Sequence, residues 1–170
     1  MSSEDRAALV ALFWSTGGTR WNRKGNWDTD ADLSQWCGVT VNDHGRVVTL
    51  SLSYNNLEGI VPGAIEDLTE LKILFWEGNR LTGPIPDALG ALKELMHLDL
   101  SNNQLTGSIP AWLGSLQKLQ TLGVHSNQLA GPIPEALGEL KELTLLWLGK
   151  NKLTGPIPET GRSSQGADGS

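Results

Sequence analysis

The amino-acid sequence predicts an α/β solenoid, with a parallel concave β-sheet, short helical turns on the convex side and a helical amino-terminal cap. Three observations predict this fold class. A block with a period of 24 residues recurs along most of the chain, leucines alternate within each block, and residues 1–46 ahead of the blocks are non-repetitive and rich in tryptophan.

The repeat blocks begin at Val47, Leu71, Leu95, Leu119 and Leu143, and the fifth is incomplete. Each follows the pattern L-x-x-L-x-L-x-x-N-x-L-x-G-x-I-P, in which the L-x-L alternation is typical of a short strand with one buried face. Successive strands are predicted to stack into a parallel sheet. The segment 47–160 is therefore predicted to form one solenoid of four complete coils and one partial coil.

Three further columns of the block predict how each coil turns. Asparagine amides follow each strand, where they can satisfy backbone groups that neighbouring coils bury, and glycines and prolines then permit and fix a bend. The return segment carries leucines three residues apart, such as Leu137 and Leu140, which predicts one helical turn on the convex side. The columns are Asn55, Asn79, Asn103, Asn127 and Asn151; Gly59, Gly83, Gly107, Gly131 and Gly155; and Pro62, Pro86, Pro110, Pro134 and Pro158.

Residues 1–46 are predicted to close the first hydrophobic face of the solenoid with a helix and a tryptophan-rich loop. Ser2-x-x-Asp5 is a candidate capping box ahead of apolar residues that would dock on the first coil. Four of the seven tryptophans lie in this segment, and we expect them to pack in place of a larger core. They are Trp14, Trp21, Trp27 and Trp36.

The L-x-G-x-I-P segment of residues 47–160 resembles the plant-type leucine-rich repeat of receptor kinases and inhibitor proteins. The segment that begins Trp36-Cys-Gly-Val-Thr-Val resembles the amino-terminal cap of the extracellular members, whose signature is C-x-W-x-G-V-x-C. In that alignment the two cysteine positions fall on Ser34 and Val41, so the disulfide of the family is absent. Cys37 falls at a variable position and is predicted to be a packed free thiol.

From its start to about residue 160, the chain also resembles the leucine-rich-repeat region of brown-algal ROCO-family GTPases. The resemblance depends on the Ser-Glu-Asp-Arg start, the loop Gly-Gly-Thr-Arg-Trp-Asn and the segment Asn26-Trp-Asp-Thr-Asp-Ala. It implies the sensor region of an intracellular, defence-related receptor of innate immunity. The sequence contains no G-x-x-x-x-G-K-[ST] phosphate-binding loop, so any GTPase would lie outside it.

Composition and charge restrict the classes of partner. The net charge is −6 and the chain has no basic block, which argues against nucleic acid. No run reaches the ~20 apolar residues of a membrane span, and the apolar stretch 7–14 follows two acidic residues, unlike a secretory signal. With one cysteine and no N-x-[ST] sequon, the chain is predicted to be cytoplasmic.

The concave face is predicted to bind a protein or peptide partner. Residues between and just after the strand leucines point out of this face, and two aromatic residues among them, Phe75 and Trp147, are expected to be exposed hot spots. Polar neighbours would add specificity. The predicted partner-binding residues are Tyr54, Phe75, Glu77, His97, Asp99, His125 and Trp147.

No catalytic residue, metal site or cofactor is predicted. His97 and His125 lie four strand positions apart on adjacent strands, or roughly 13 Å, which is too far to share one ion. Ser101, His125 and Asp99 have the residue types of a catalytic triad, but a concave sheet supplies neither a pocket nor oxyanion donors. The chain is therefore predicted not to be an enzyme. Trp112 is expected to pack on the adjacent coil, with a lateral partner contact as the alternative.

The carboxy-terminal end is predicted to be open. Residues 161–170 have the composition of a flexible linker and contain no cap. We expect either further repeats in a longer protein or self-association through an uncovered hydrophobic end. That end would consist of Leu146, Leu148, Leu153 and Ile157.

The sequence leaves three interpretations of function open. The first is an intracellular protein-recognition module that uses the concave aromatic and charged residues. The second is an extracellular receptor ectodomain or wall-enzyme inhibitor, and the third is a structural repeat spacer without a ligand. Concave residues define a surface but not its complement, so the ligand itself is not predicted.

Overall fold

The computed structural model describes residues 2–159, and the tail predicted at 161–170 lies outside the described residues. The cap begins with one α-helix, α1 (Ser3–Ser15). Two 3-10 turns follow, at Gly18–Arg20 and Leu33–Gln35. The predicted helix of the cap is therefore confirmed, and the tryptophan-rich loop contains both turns.

Eleven short β-strands are present within residues 2–159. In chain order they are β1 (Val39–Val41), β2 (Val47–Ser51), β3 (Glu58–Gly59), β4 (Ile73–Phe75), β5 (Arg80–Pro84), β6 (His97–Asp99), β7 (Gln104–Thr106), β8 (Thr121–Gly123), β9 (Ala130–Pro132), β10 (Leu145–Trp147) and β11 (Lys152–Thr154).

The main sheet has six strands in the order β1-β2-β4-β6-β8-β10. β1 and β2 form an antiparallel hairpin around the turn at residues 42–45, and the other pairs are parallel. The predicted parallel sheet is thus confirmed, with one antiparallel strand contributed by the cap. The central strand leucines align in register and are buried: Leu50, Leu74, Leu98, Leu122 and Leu146.

The Gly-Pro segments form small sheets of their own, which the repeat pattern does not predict. β3, β5 and β7 make one three-stranded sheet, and β9 pairs with β11. Glycine and proline are depleted in strands, so their columns indicate a bend rather than a ladder. The bend is present, since Gly83 and Gly131 have φ of 78° and 85°, and the strand pairing extends through it.

The return segments form 3-10 turns on the convex side, each directly after the proline of its column. A proline before the first turn costs no helical hydrogen bond, which suits this position. The predicted single helical turn is confirmed, in the tighter 3-10 form. The turns are Gly63–Asp67, Asp87–Ala91, Ala111–Ser115 and Glu135–Glu139.

An asparagine ladder joins neighbouring coils, as the Asn column predicts. Asn79 Oδ1 accepts hydrogen bonds from the backbone N–H groups of Asn55 at 3.0 Å and Leu57 at 2.9 Å. Its Nδ2 donates to the carbonyls of Leu52 at 3.0 Å and Trp76 at 2.8 Å. One side chain thus satisfies backbone groups of two coils. Corresponding bonds recur at Asn103, Asn127 and Asn151.

An aromatic cluster forms the core of the cap. The ring centroids of Phe13 and Trp21 are 5.3 Å apart, those of Trp21 and Trp27 are 4.8 Å apart, and those of Trp27 and Trp36 are 5.1 Å apart. All four residues are buried. The prediction for Trp14 is wrong, because its side chain is 60% exposed. Consecutive helix residues point about 100° apart, and Phe13 takes the inward direction.

Indole N–H groups and a free cysteine complete the packing of the cap loop. Trp27 Nε1 donates to the Cys37 carbonyl at 2.8 Å, and Trp36 Nε1 donates to the Ala31 carbonyl at 3.2 Å. Cys37 is a half-buried free thiol packed against the core, as predicted. Ring packing and indole hydrogen bonds therefore stabilise the loop in the segment where the C-x-W-x-G-V-x-C signature of extracellular caps has its cysteines.

A buried carboxylate fixes the cap on the first coil. Asp5 is fully buried and accepts hydrogen bonds from Arg46 Nε and Nη2, each at 3.1 Å, and from the Val47 N–H at 2.8 Å. The hydrogen bond to Asp5 raises the pKa of the Arg46 guanidinium. Ser2 Oγ accepts from the Asp5 N–H at 3.2 Å, which confirms the serine half of the predicted capping box. The Asp5 carboxylate accepts hydrogen bonds from the solenoid, whereas in a capping box it would accept one from the N–H of the N-cap residue.

The last coil is better covered than the sequence predicts. Leu146 and Leu148 are buried, so the expectation that they would be uncovered is wrong. Strand leucines point into the interior of their coil, where residues of the same and the preceding coil surround them. Leu153 is half-buried and Ile157 is 41% exposed. Self-association through this end stays a prediction.

Candidate functional site

The register of the main sheet aligns the outward-pointing residues of five coils in rows across the concave face. One row runs through Thr49, Ile73, His97, Thr121 and Leu145. The next runs through Ser51, Phe75, Asp99, Gly123 and Trp147. The structure therefore brings Phe75, Asp99 and Trp147 into a single row, and it places His97 beside Phe75 on the adjacent strand.

Phe75 and Trp147 are half-buried, and both rings are therefore less exposed than the sequence predicts. Strands of one sheet lie about 4.8 Å apart, and each ring therefore meets the side chains of the neighbouring coils. The Phe75 and His97 rings, for example, have centroids 6.5 Å apart at an interplanar angle of 45°. Half-buried rings in a fixed position lose little side-chain entropy when a partner covers them.

Tyr54 is the most exposed aromatic residue of this face, at 62%. It follows the first repeat strand with φ of 52°, in the left-handed region that few bulky residues adopt. Its ring lies against Gly78, where an added Cβ would come within 2.3 Å of the ring atoms. The hydrogen bond from its hydroxyl to Glu77 Oε1, 3.0 Å, raises the pKa of Tyr54, and the charge of Glu77 acts in the same direction.

The same left-handed backbone recurs in every coil at the third residue after the strand of the main sheet. This turn sends the chain from the main sheet into the asparagine ladder, and it orients the side chains at the rim of the concave face. Glycine adopts it without steric cost, whereas the other residue types adopt it under strain. The five residues, with φ between 52° and 71°, are Tyr54, Gly78, Asn102, Ser126 and Lys150.

Polar side chains of the concave face bond mainly to one another and to nearby backbone. Glu77 Oε1 also accepts from Asn102 Nδ2 at 3.3 Å. The Asp99 carboxylate accepts from the Ser101 N–H at 2.9 Å. His97 Nδ1 lies 2.9 Å from Thr121 Oγ1, and His125 Nδ1 lies 3.1 Å from Ser126 Oγ. The polar side chains among the predicted site residues are therefore held in place by hydrogen bonds beside the half-buried rings.

A cleft at the cap end of this face contains residues that the repeat pattern does not identify. It has a volume of about 360 Å³ and is lined by Asn22, Tyr54, Asn56, Gly78, Asn79 and Arg80. Asn22 comes from the cap loop, where no periodicity assigns a direction to a side chain. Its amide donates to the Tyr54 carbonyl at 3.4 Å, which brings the cap loop to the rim of the concave face.

The geometry does not assemble a hydrolytic or metal centre from the described residues. In the part of the chain from 2 to 159, no group of three His, Cys, Asp or Glu side chains is placed to hold a metal ion. His125 bonds to Ser126, and the Ser101 hydroxyl has no hydrogen-bond partner among the described atoms. Ser101, His125 and Asp99 therefore do not form the hydrogen-bonded chain that a catalytic triad requires.

Trp112 packs on the adjacent coil, as expected. Its indole Nε1 donates to Asp87 Oδ1 at 3.0 Å, and its ring lies over Gly90, where an added Cβ would be 3.3 Å from it. Trp112 is half-buried by these contacts on the convex side. The convex face therefore uses this ring for its own packing.

Family models described as leucine-rich repeats match residues 77–129 and residues 46–68. The chain therefore carries leucine-rich repeats. A curated relative, described as a probable leucine-rich repeat receptor-like protein kinase of Arabidopsis thaliana, is 38% identical over 72 residues. The match covers 41% of this chain and 7% of the kinase.

Solved structures with the same fold include plant receptor ectodomains. The BIR2 ectodomain of Arabidopsis thaliana is 29% identical, with a TM-score of 0.85 over 96% of this chain and 95% of that chain. Arabidopsis receptor kinase HAESA, in complex with the peptide hormone IDA and the co-receptor SERK1, is 30% identical, with a TM-score of 0.83 over 92% of this chain and 27% of HAESA. A plant ice-binding protein is 32% identical, with a TM-score of 0.85 over 92% of this chain and 51% of that chain.

These comparisons confirm the predicted fold class, a leucine-rich-repeat solenoid. This chain spans a small part of the receptor kinase and of HAESA, and about half of the ice-binding protein. Among residues 2–159, no helix combines the length and the apolar composition that crossing a membrane requires.

Proposed function

We propose that this leucine-rich-repeat chain is a non-enzymatic recognition module that binds an extended peptide, or an exposed segment of a protein, along its concave face. The observation that carries the proposal is the strand register, which aligns Phe75 and Trp147 with polar residues on one face. The two rings lie on β4 and β10, three strands apart, or roughly 14 Å at the usual strand spacing. An extended segment of about four to five residues spans that distance.

The chemistry of the face suits a partner of this kind. Binding hot spots are enriched in aromatic residues surrounded by contacts that exclude water once the partner is bound. Asp99 lies in the row between the two rings, His97 lies beside Phe75 on the neighbouring strand, and Glu77 follows Phe75 on the same coil. All three are held by hydrogen bonds within the face. A surface fixed in this way loses little conformational entropy on binding.

The structural neighbours support peptide binding as the mode of action. HAESA is described in complex with a peptide hormone and a co-receptor, and this chain has the same fold over most of its length. The ice-binding neighbour has that fold too, so the fold alone does not select a class of ligand. The proposal therefore depends on the side chains of this chain's own concave face.

The neighbours favour the receptor-ectodomain interpretation over the intracellular defence sensor. Location in the cytoplasm and the resemblance to ROCO-family GTPases stay predictions from the cap sequence. A cap closed by aromatic packing and the Asp5–Arg46 ion pair, with Cys37 as a free thiol, does not depend on oxidation. Fractionation of cells that express the tagged natural gene product tests the location, and recovery in the secreted fraction would contradict the cytoplasmic prediction.

The proposed binding face is tested by selecting peptides from a random display library on the immobilised chain. Affinities of the selected peptides are then measured by calorimetry for the parent chain and for a Phe75→Ala, Trp147→Ala double variant. We expect a loss of about thirtyfold or more for the double variant, the usual effect of removing hot-spot rings. Circular dichroism and thermal melting establish that the double variant is folded.

Trp14→Ala is the matched control, because Trp14 is an exposed aromatic residue of the cap, away from the rows of the concave face. It is expected to bind the selected peptides as the parent chain does. Equal binding by the parent and the folded double variant would contradict the proposed site. A library that yields no specific peptide would favour the third interpretation, in which the repeats are a structural spacer without a ligand.

A further inference from the structure

The cleft at the cap end of the concave face is separate from the proposed peptide row. Its volume of about 360 Å³ falls within the range of ~300–1,000 Å³ that is typical of small-molecule sites. The cap loop contributes Asn22, the first coil contributes Tyr54 and Asn56, and the second coil contributes residues 78–80. None of these residues belongs to the row of aromatic residues in the proposed peptide site. The cleft is therefore a candidate site for a second ligand.

Hydrogen bonds between the cap loop and the first coil fix the walls of the cleft. The Asn22 N–H donates to the Asn55 carbonyl at 3.3 Å, and Asn55 Nδ2 donates to the Arg23 carbonyl at 2.9 Å. The Asn79 amide, in the second coil, is held by the asparagine ladder. A cleft that is fixed in this way loses little conformational entropy when a ligand binds.

The residues that line the cleft carry both free acceptors and free donors. Asn22 Nδ2 donates to the Tyr54 carbonyl at 3.4 Å, and Asn56 Nδ2 donates to the Arg20 carbonyl at 3.1 Å. These bonds fix which end of each amide is the oxygen, and neither Oδ1 accepts a hydrogen bond from residues 2–159. Within the same part of the chain, the Arg80 guanidinium is in no ion pair and makes no side-chain hydrogen bond.

An exposed aromatic ring lies among these polar groups. The Tyr54 side chain is 62% exposed, so much of its ring is open to solvent beside Gly78. Its backbone has φ of 52°, and the other four coils carry glycine, asparagine, serine or lysine at this position. A bulky residue adopts this backbone under strain, and such strain is concentrated at ligand sites.

We infer that this cleft binds a neutral sugar ring of an oligosaccharide. Sugar hydroxyls both donate and accept hydrogen bonds, so they match the two free amide oxygens and the Arg80 guanidinium. The C–H groups of a sugar face pack on an aromatic ring, whose face carries negative partial charge, and Tyr54 supplies that ring. A carboxylate would bond to Arg80 as well, but it has no proton to donate to Asn22 Oδ1 or Asn56 Oδ1. The balance of donors and acceptors therefore favours hydroxyl groups over an anion.

The test begins with an array of immobilised oligosaccharides on which the full chain is incubated. The array carries neutral oligomers of glucose, mannose, galactose and xylose, together with oligomers of galacturonate as the anionic comparison. The oligomer that binds best is then titrated in solution, with amide chemical shifts recorded by NMR. We expect a neutral oligomer to bind, with the shift changes concentrated at the residues that line the cleft.

Substitutions at Tyr54 test the aromatic ring. Tyr54→Asn introduces the residue that the third coil carries at this position, Asn102, which has the same left-handed backbone with φ of 54°. The chain should therefore stay folded, and the affinity for the oligosaccharide should fall about tenfold because the ring is lost. Tyr54→Phe is the matched control, since it retains the ring, and it should bind within about twofold of the parent chain.

Substitution of Arg80 tests the free donors. Arg80→Gln introduces the residue that the third and fourth coils carry at this position, and it should weaken binding about fivefold. Lys152→Gln is its matched control, because it removes the same charge from the same column of the repeat in the last described coil, outside the cleft. It should leave the affinity unchanged. Thermal melting establishes that all four variants are folded.

The outcomes separate this site from the proposed function. The Phe75→Ala, Trp147→Ala variant should bind the oligosaccharide as the parent chain does, even where it loses the selected peptides. Failure of every neutral oligomer to bind, or binding confined to galacturonate, would overturn the sugar site and leave the peptide site standing. Oligosaccharide binding that persists in both Tyr54→Asn and Arg80→Gln would overturn the assignment to this cleft.

Discussion

The cap and the repeat coils stabilise the same solenoid through different kinds of contact. The coils repeat one arrangement, in which a strand leucine, a ladder asparagine and a 3-10 turn recur with the 24-residue period. The cap uses contacts that occur once: the cluster around Trp27 and Trp36, and the Asp5 carboxylate that joins α1 to β2. The coils therefore share their stabilisation among equivalent positions, whereas each cap contact has no substitute.

Because of this contrast, the fold is more sensitive to substitution in the cap than in the coils. In a solenoid, each coil is stabilised mainly by its nearest neighbours, so damage to an outer coil remains local. The cap covers the first hydrophobic face, and losing it exposes that face as a whole. We therefore expect a substitution at a buried cap residue to lower the free energy of unfolding more than a substitution in the asparagine ladder. Within the ladder, we expect a larger loss at an interior coil than at the last described coil.

The largest effect is expected at the centre of the cap. Trp36→Ala removes a buried indole that packs on Trp27 and donates to the Ala31 carbonyl, and it should lower the free energy of unfolding by about 3–5 kcal/mol. Trp14→Ala, on the same cap but 60% exposed, should change it by less than about 0.5 kcal/mol. Urea unfolding followed by tryptophan fluorescence measures both. Similar losses for the two variants would contradict the structural distinction between them.

A smaller, graded effect is expected along the asparagine ladder. Asn79→Ala leaves buried backbone groups of two coils without partners, which should cost about 2–3 kcal/mol. Asn151→Ala, in the last described coil, acts on half-buried groups that water reaches, and about 1 kcal/mol is expected. The same urea titrations compare them. An equal loss of unfolding free energy at both positions would contradict the expected difference in water access between the two coils.

The smallest effect concerns the rim of the concave face and depends on pH. The pKa of Tyr54 is raised by its hydrogen bond to Glu77, so the protonated hydroxyl is favoured in the folded chain. The stabilisation is fully present below the pKa of the unfolded chain and is lost as pH rises through the higher, folded pKa.

Tyr54 is the single tyrosine, so the ultraviolet absorbance of its phenolate reports this ionisation directly. We expect a titration midpoint above that of the unfolded chain, and a lower midpoint in Glu77→Ala. Glu142→Ala, which alters an exposed residue outside the concave rows, should leave the midpoint unchanged. An unshifted midpoint in the parent chain would contradict the Tyr54–Glu77 bond.

The site was predictable from sequence to the extent that it follows the repeat. The rows that contain Phe75, Asp99 and Trp147 derive directly from the block pattern, because a fixed period fixes the register of parallel strands. The cleft residue Asn22 and the buried role of Asp5 were not predictable, because both depend on how a non-repetitive cap folds against the first coil. The degree of burial of each ring was likewise not predictable, since it depends on neighbours across strands.

Sequence alone was enough to predict the solenoid, its strand register, its asparagine ladder and the set of residues on the concave face. Period and hydrophobic alternation fix these features, because every coil must bury its leucines against identical neighbours. The three-dimensional packing was needed to establish that Asp5 binds Arg46, that Trp14 points to solvent, and that the Asp99 carboxylate lies over Gly123 beside an unpartnered Ser101 hydroxyl. These contacts join residues of unlike environment across coils or from cap to coil, and no repeating pattern encodes the direction in which such side chains turn.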